Sequence, residues 1–418
     1  MLNRSLAPAF SKKFAFELPP PEVFHLSDGL DLVHVLGLQQ EVVKLEVIFK
    51  AGKWYEPSPG LSHFTAIMID KGTTTKSSKE IAGIFDYYGA QVEISPGYDF
   101  TSISLYVLKK HLYDVFPVFW EVLNSPSFPD EEFHLQKEIF VQNLKVNDQK
   151  NSFVASKLLR KNVFGESHPY GKTIEGEDVY KLTKEDLKSF FSKNFYPVEI
   201  YLAGKFSSRE IETVSQPFTS MSSYKINEMK FSTKPGPFIQ TVPKKESIQS
   251  SIRLGKQVIN RLHPEYFSLL LLNHVLGGYF GSRLMKSIRE EKGLTYGIYS
   301  SIHPFKNDCM ISIGADVKND KLKFAIEEIR KEVKVLKETL ISEDELILSK
   351  NHFLGSLQLE VANPFVVLEK IKSIRLNKLS ENYYNDLFMN IESINPEGVL
   401  LTARKYFEPN SFQEVSVG

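Results

Sequence analysis

Alternation of apolar and polar positions marks a series of strands along the first half of the chain. "VFHLSDGLDLVHVL" sets two short β-rich runs on either side of Ser27-Asp28-Gly29, a turn tripeptide, and reads as a hairpin. "EVVKLEVIFKAG" and "TSISLYVLKK" alternate and read as strands. Between them, "SPGLSHFTAIMIDKG" carries apolar residues at helical spacing, which predicts a helix with Ser58 as N-cap, Pro59 in the first turn and Gly72 beyond its end. From Lys110 to Asn194 the pattern is mostly helical, broken at Pro126–Pro129 and around "GESHPYGKT", and "EIYLAG" closes the half as a strand. The second half runs through the same rhythm. "SIQSSIRLGKQV" is a strand, "PEYFSLLLLNHVLGG" an apolar helix ending in glycines, and "SRLMKSIREEKG" a helix with Ser282 as N-cap and Gly293 as C-cap. "LTYGIYSSI" and "CMISIGADV" read as paired strands, long helices follow from Asn319, and "FQEVSVG" is a last strand.

The repetition extends to residues. "LTKEDLKSFFSKNFYP" (Leu182 to Pro197) lies over "INPEGVLLTARKYFEP" (Ile394 to Pro409), matching Lys193 with Lys405, Phe195 with Phe407 and proline with proline. "IFDYYGAQVEI" lies over "IREEKGLTYGI", matching Ile84 with Ile288 and Gly89 with Gly293. The expectation is two homologous α+β domains, each a mainly antiparallel sheet covered by helices. The stretch from Phe206 to Phe238, rich in Ser, Thr, Lys and Pro, suits a surface linker, which places the domains at 1–224 and 225–418.

Composition narrows the function. Lys+Arg and Asp+Glu balance at 51 each, so there is no electrostatic case for nucleic acid or an anionic membrane. One cysteine, Cys309, rules out an intramolecular disulfide and a cysteine-built zinc cluster. No run of about 18 apolar residues predicts a membrane span, and the first residues show no apolar core of a signal peptide. The expected location is therefore cytoplasmic.

The chemistry lies in "GLSHFTAIMID". On a helix, H-x-x-E-H sets two histidines on one face, where with a third ligand they hold zinc, and the glutamate acts as base. Here only His63 stands in that pattern; Ala66 occupies the glutamate slot and Ile67 the second histidine slot. Taken alone, His63 is an ordinary helix histidine. Its surroundings say more. Ala51-Gly52, Glu56, Gly60-Leu61, His63-Phe64, Met68 and Lys71-Gly72-Thr73 resemble the zinc-site entry of the pitrilysin/insulinase metallopeptidases, which include the mitochondrial processing peptidases. "KEIFVQNLKVNDQ", "SHPYGKTIEG" and "YLAGKF" resemble later segments of that family. At the family's third-ligand spacing stands Asn143. The degenerate positions His63, Ala66, Ile67 and Asn143 predict no catalytic residue and no metal in this chain, and Phe267, Leu270 and Leu271 offer no substitute at the repeat positions.

A second family signature is kept. "LGGYFGSRLMKSIREEKGLTYGIYSS" resembles the segment carrying a glycine-rich loop and then an Arg and a Tyr in R-x6-Y spacing, here Arg289 and Tyr296. The resemblance implies that this pair hydrogen-bonds substrate backbone at an active site formed with the other half or a partner chain. Read from the residues alone, Arg289 pairs with a neighbouring Glu and Tyr296 is a strand aromatic. Gly277, Gly278 and Gly281 permit either close approach of a peptide or a tight helix stop. The function implied is that of a non-catalytic subunit. An H-x-x-E-H-bearing sister chain would hold the zinc, the pair would form a heterodimer, and extended peptides would be the substrates; the isolated chain could form a homodimer. The alternative is a non-proteolytic scaffold or peptide-binding protein of the same fold.

Overall fold

The computed structural model describes residues 16–27, 29–37, 41–221 and 229–418. The predicted join at 224/225 and Asp28 of the first turn lie outside the described residues. Eleven strands among the described residues form two sheets. The first contains β1 (Glu22–Ser27), β2 (Leu30–Leu36), β3 (Val42–Phe49), β4 (Gln91–Pro96), β5 (Thr101–Leu108) and β6 (Pro197–Gly204), in the order β1-β2-β6-β3-β5-β4. The second contains β7 (Ile239–Val242), β8 (Gln249–Gln257), β9 (Ile298–Pro304), β10 (Cys309–Lys318) and β11 (Gln413–Val417), in the order β7-β11-β8-β10-β9. Without β1 the two orders are the same. Each has one parallel pair, β2 with β6 and β7 with β11, and is otherwise antiparallel. The duplication seen in the residues is thus a duplication of topology: two homologous α+β domains.

The helices repeat as well. The first half has α1 (Leu61–Ile67), α2 (Ser78–Tyr87), α3 (Leu112–Asn124), α4 (Asp130–Asp148), α5 (Asn151–Phe164), α6 (Gly176–Lys181), α7 (Lys184–Asn194) and α8 (Ser208–Ser215). The second has α9 (Tyr266–Asn273), α10 (Leu322–Glu338), α11 (Glu343–Glu360), α12 (Pro364–Leu376), α13 (Tyr383–Ser393) and α14 (Pro396–Tyr406). The displacement that carries Leu182 onto Ile394 also carries α7 onto α14, α4 onto α11 and α5 onto α12, within a residue at each end. Several helices begin where their sequences say they should. Ser77 with Glu80, Thr183 with Asp186 and Ser207 with Glu210 form capping boxes at α2, α7 and α8.

Each half lends its equivalent helix to the other half's sheet. α5 lies on the second sheet: Leu159 and Val163 join the core with Met310, Val415 and Val417, and Ser156 Oγ accepts from Arg253 Nε at 3.0 Å. α12 lies on the first sheet, where Val367, Leu368 and Ile371 pack on Val33, Val35, Ile48, Tyr201 and Ala203. This explains an oddity of β3. Alternation usually marks a sheet with one solvated face, yet Lys44 and Glu46 are buried. α12 supplies their partners: Lys44 Nζ meets Glu369 at 3.0 Å, Lys372 Nζ meets Glu46 at 2.7 Å, and Arg375 pairs with both Glu199 and Asp31.

Three local predictions are corrected. α1 starts at Leu61 rather than beside Ser58, because Gly60 takes φ +87° and turns the chain into the helix. Its cap comes from Glu56, whose Oε2 accepts from Ser62 N at 3.2 Å and Ser62 Oγ at 2.7 Å. Ser282 precedes a helical segment, but its buried hydroxyl makes no hydrogen bond among the described residues, and Met285–Glu291 is π-wound. Tyr296 lies in the bend ahead of β9 rather than on the strand. Gly293, at φ +60°, does end its helix: its N–H reaches Arg289 O at 3.1 Å, and Leu294 N reaches Ile288 O at 3.0 Å.

Candidate functional site

α1 presents the degenerate motif. Phe64 and Ala66 face the core with no exposure, and Ile67, half-buried, packs against the same core. His63 shares the face of Ile67, one turn away, and its ring lies 5.0 Å from that of Phe140 on α4 and 5.6 Å from Phe64. Burial first, and then the charge of Lys53, hold the His63 pKa down at about 4, so the ring is neutral at neutral pH. Phe140 is also part of the wall of a groove of about 260 Å³ that includes Asn143 and Leu144 of α4. Phe140, which the His63 ring touches, and Asn143, one turn further along α4, thus both belong to this groove.

These residues do not fit zinc. Zinc in a catalytic site takes three protein ligands; Ala66 and Ile67 have no donor atom, and Asn143 offers only a neutral amide. Among the described residues no three His, Cys, Asp or Glu side chains come together as a metal-holding group. The charge that would neighbour a dication is also of the wrong sign, since Lys53, Lys157, Arg160 and Lys172 all border the groove.

In the second half, α9 continues into a π turn, His274–Gly278, and the chain then passes through Tyr279, Phe280 and Gly281. A Cβ on Gly277 would stand 2.6 Å from the backbone nitrogen of Ser300, so this glycine lets the turn press against β9. The Tyr279 ring stacks on His274, with centroids 4.6 Å apart, and its hydroxyl reaches Ser349 Oγ at 3.1 Å. Gly278 and Gly281 lie close to the His274 and Tyr279 rings, respectively. The loop is thereby fixed from within the chain, and Phe280 at its tip is exposed.

Arg289 lies over the Phe280 ring, 4.8 Å from its centroid. Among the described residues it has no carboxylate partner, which removes the surface ion pair that the residues alone would suggest. Tyr296 is 92% exposed. The pair is thus unengaged by acids, while no hydrogen bond, ion pair or ring contact among the described residues ties it to the His63 groove in this chain. No motif in the sequence marks the four cations of that groove. The nearest signal is the "KLLRKN" run of α5, where Lys157 and Arg160 fall on one helix face, but the contributions of Lys53 and Lys172 needed the fold.

"SHPYGKT" turns out to join the two halves. Tyr170 is buried, donates to Asp99 Oδ1 at 2.6 Å, and stacks on Phe305 of the second half with centroids 4.2 Å apart.

Among the described residues no helix is long and apolar enough to cross a membrane. A model described as insulinase (peptidase family M16) matches residues 37–177, and one described as the peptidase M16 inactive domain matches residues 181–353. The chain is similar to an uncharacterised zinc protease, YmxG, of Bacillus subtilis, with 29% identity over 338 residues, covering 79% of this chain and 78% of the relative. It is also similar to an uncharacterised zinc protease of Rickettsia felis, with 26% identity over 392 residues, 91% of this chain and 94% of the relative. Of solved structures, a peptidase M16 inactive domain from Pseudomonas fluorescens superimposes with a TM-score of 0.87 at 23% identity, covering 95% of this chain and 98% of the other. A protease from Helicobacter pylori gives 0.85 at 19% identity, covering 96% and 100%. The two matched segments belong to one peptidase family and together span most of the duplicated fold, and with that the chain belongs to the insulinase (M16) family of peptidases, as a member whose zinc-helix positions no longer offer a metal site.

Proposed function

We propose that this chain is the non-catalytic subunit of a heterodimeric zinc peptidase. A homologous partner bearing H-x-x-E-H holds the zinc, and this chain contributes chamber wall and two substrate-binding residues, Arg289 and Tyr296. One observation carries the reading: Arg289 has no acidic partner among the described residues, and Tyr296, seven residues further along the chain, is almost wholly exposed. A permanent cation and a phenol held this way donate together to a peptide carbonyl, or to the oxyanion that it becomes. Extended peptides suit the exposed sheet edges of such a fold.

The test is reconstitution. Mixed with an H-x-x-E-H sister chain, this protein restores peptide cleavage; Arg289→Ala lowers kcat/KM by about 100-fold, as loss of one oxyanion donor does elsewhere, with the melting temperature little changed. Undiminished cleavage by Arg289→Ala overturns the role. A scaffold or peptide-binding protein without proteolysis is the second reading, favoured by the Phe280 contact, which gives Arg289 a structural occupation. Peptide binding without cleavage in every such mixture supports it.

A further inference from the structure

The groove beside the emptied zinc helix has a charge pattern that a structural role does not explain. Lys53, Lys157, Arg160 and Lys172 border it, with Asn143, Asn147 and Thr173, and no carboxylate does. Only Lys157 is fully answered, by Glu175 at 2.8 Å and by Asp148 at 3.8 Å. Lys53 Nζ donates to a carbonyl, Lys172 O, at 3.0 Å; the buried Glu56 nearby gives one oxygen to Ser62, and its single charge is shared between Lys53 and Lys172 without an ion pair to either. Arg160 and Lys172 have no ion-pair partner among the described residues, and the Asn143 amide makes no hydrogen bond there. The cations oppose one another: burial lowers the Lys53 pKa, and the charges of Arg160 and Lys172 add to that, with Glu56 working against them. Phe140, Leu144, Phe153 and Ile174 form apolar walls, which strengthen any charge interaction made between them.

Chains do not ordinarily gather unanswered cations in a cleft, because the repulsion costs stability. The missing anion is external. We propose that this groove is an oxyanion-binding site, in which Arg160, Lys172, Lys53 and the Asn143 amide hold a carboxylate or phosphate group in the place the family gives to a metal. Arg160 reaches beyond the groove. It also borders a second cavity, of about 550 Å³, between the two halves, lined by Tyr98, Tyr299, Arg253 and His303. A ligand anchored by its anionic end on Arg160 has room to extend between aromatic walls, which suits a peptide with a free terminal carboxylate. The site belongs to this chain alone and does not depend on a partner subunit.

Isothermal titration of the full chain at low ionic strength tests this, with three probes: inorganic phosphate, a short peptide with a free C-terminal carboxylate, and the same peptide as its C-terminal amide. Saturable binding is expected, weakened at least tenfold by Arg160→Gln and by Lys172→Gln and largely kept by Arg160→Lys. Binding of the free-acid peptide but not of its amide identifies the peptide carboxylate as the source; binding of phosphate alone identifies an inorganic oxyanion. Without ligand, Arg160→Gln melts no lower than the parent, since it relieves repulsion. The proposal is overturned if none of the probes binds, if binding survives Arg160→Gln intact, or if that variant is markedly destabilised without ligand.

Discussion

His63 shows how an inherited side chain is reshaped by its surroundings. Enclosed by Phe64 and Phe140 and facing the charge of Lys53, it is neutral in the folded protein, with its pKa lowered from 6.5 to about 4. The unfolded chain protonates more readily than the native one, so the stability contributed by the neutral ring is whole above pH 6.5 and is lost as the pH falls from there through about 4. Between pH 7 and pH 4.5 that amounts to about 2–3 kcal/mol at 1.36 kcal/mol per pKa unit. Urea unfolding of His63→Gln should show a shallower decline over the window than the parent; parallel declines would place the acid sensitivity elsewhere. The identities of Ala66, Ile67 and Asn143 were enough to see that zinc is not held here. Nothing in the identity of Lys53 or Lys172 said that they would meet Arg160, because that meeting depends on three separate segments converging on one groove.

At the level of elements, α12 makes a sharper case. Its Glu369, Lys372 and Arg375 satisfy charges on the buried face of the first sheet. Lys44 is desolvated, which alone would lower its pKa, but Glu46 and Glu369 outweigh this and raise it. Glu46→Ala leaves Lys44 and Lys372 sharing Glu369 in a largely buried place, a loss expected to cost about 3 kcal/mol; a change below about 0.5 kcal/mol in chemical denaturation would show that water reaches these groups. Strands and most helices could be read from local pattern, because the signals are local; α8, with its Ser207–Glu210 capping box and buried Ile211 and Val214, lies instead in the stretch read as a linker. The start of α1 could not, since its cap reaches back from Glu56 across a left-handed glycine. Nor could the π-wound segment before Gly293, for which no local signal stands in the sequence. β3 was legible as a strand, but its polar positions suggested water where the structure has a helix from the other half.

For the whole molecule, the two halves are joined by more than the linker. α5 and α12 cross over in opposite directions, and Tyr170 stacks on Phe305 between them. A fragment of residues 1–224 lacks α12, the cover of one face of its sheet, and a fragment of residues 225–418 lacks α5. Each alone should bind a hydrophobic dye and unfold without cooperativity, while co-expression of the two should restore one cooperative transition by circular dichroism. A cooperative melt of either fragment by itself would show the crossing helices to be dispensable.

The same exchange bears on origin. α5 and α12 occupy matching positions in the repeat, and each crosses to the other half. A gene encoding a single half would have made a protein unable to close its own core, completed only by swapping that helix with a second copy. Joining two such copies end to end would turn an exchange between molecules into one within a chain. It would also free the two copies to diverge, one losing a metal site and the other keeping an arginine and a tyrosine.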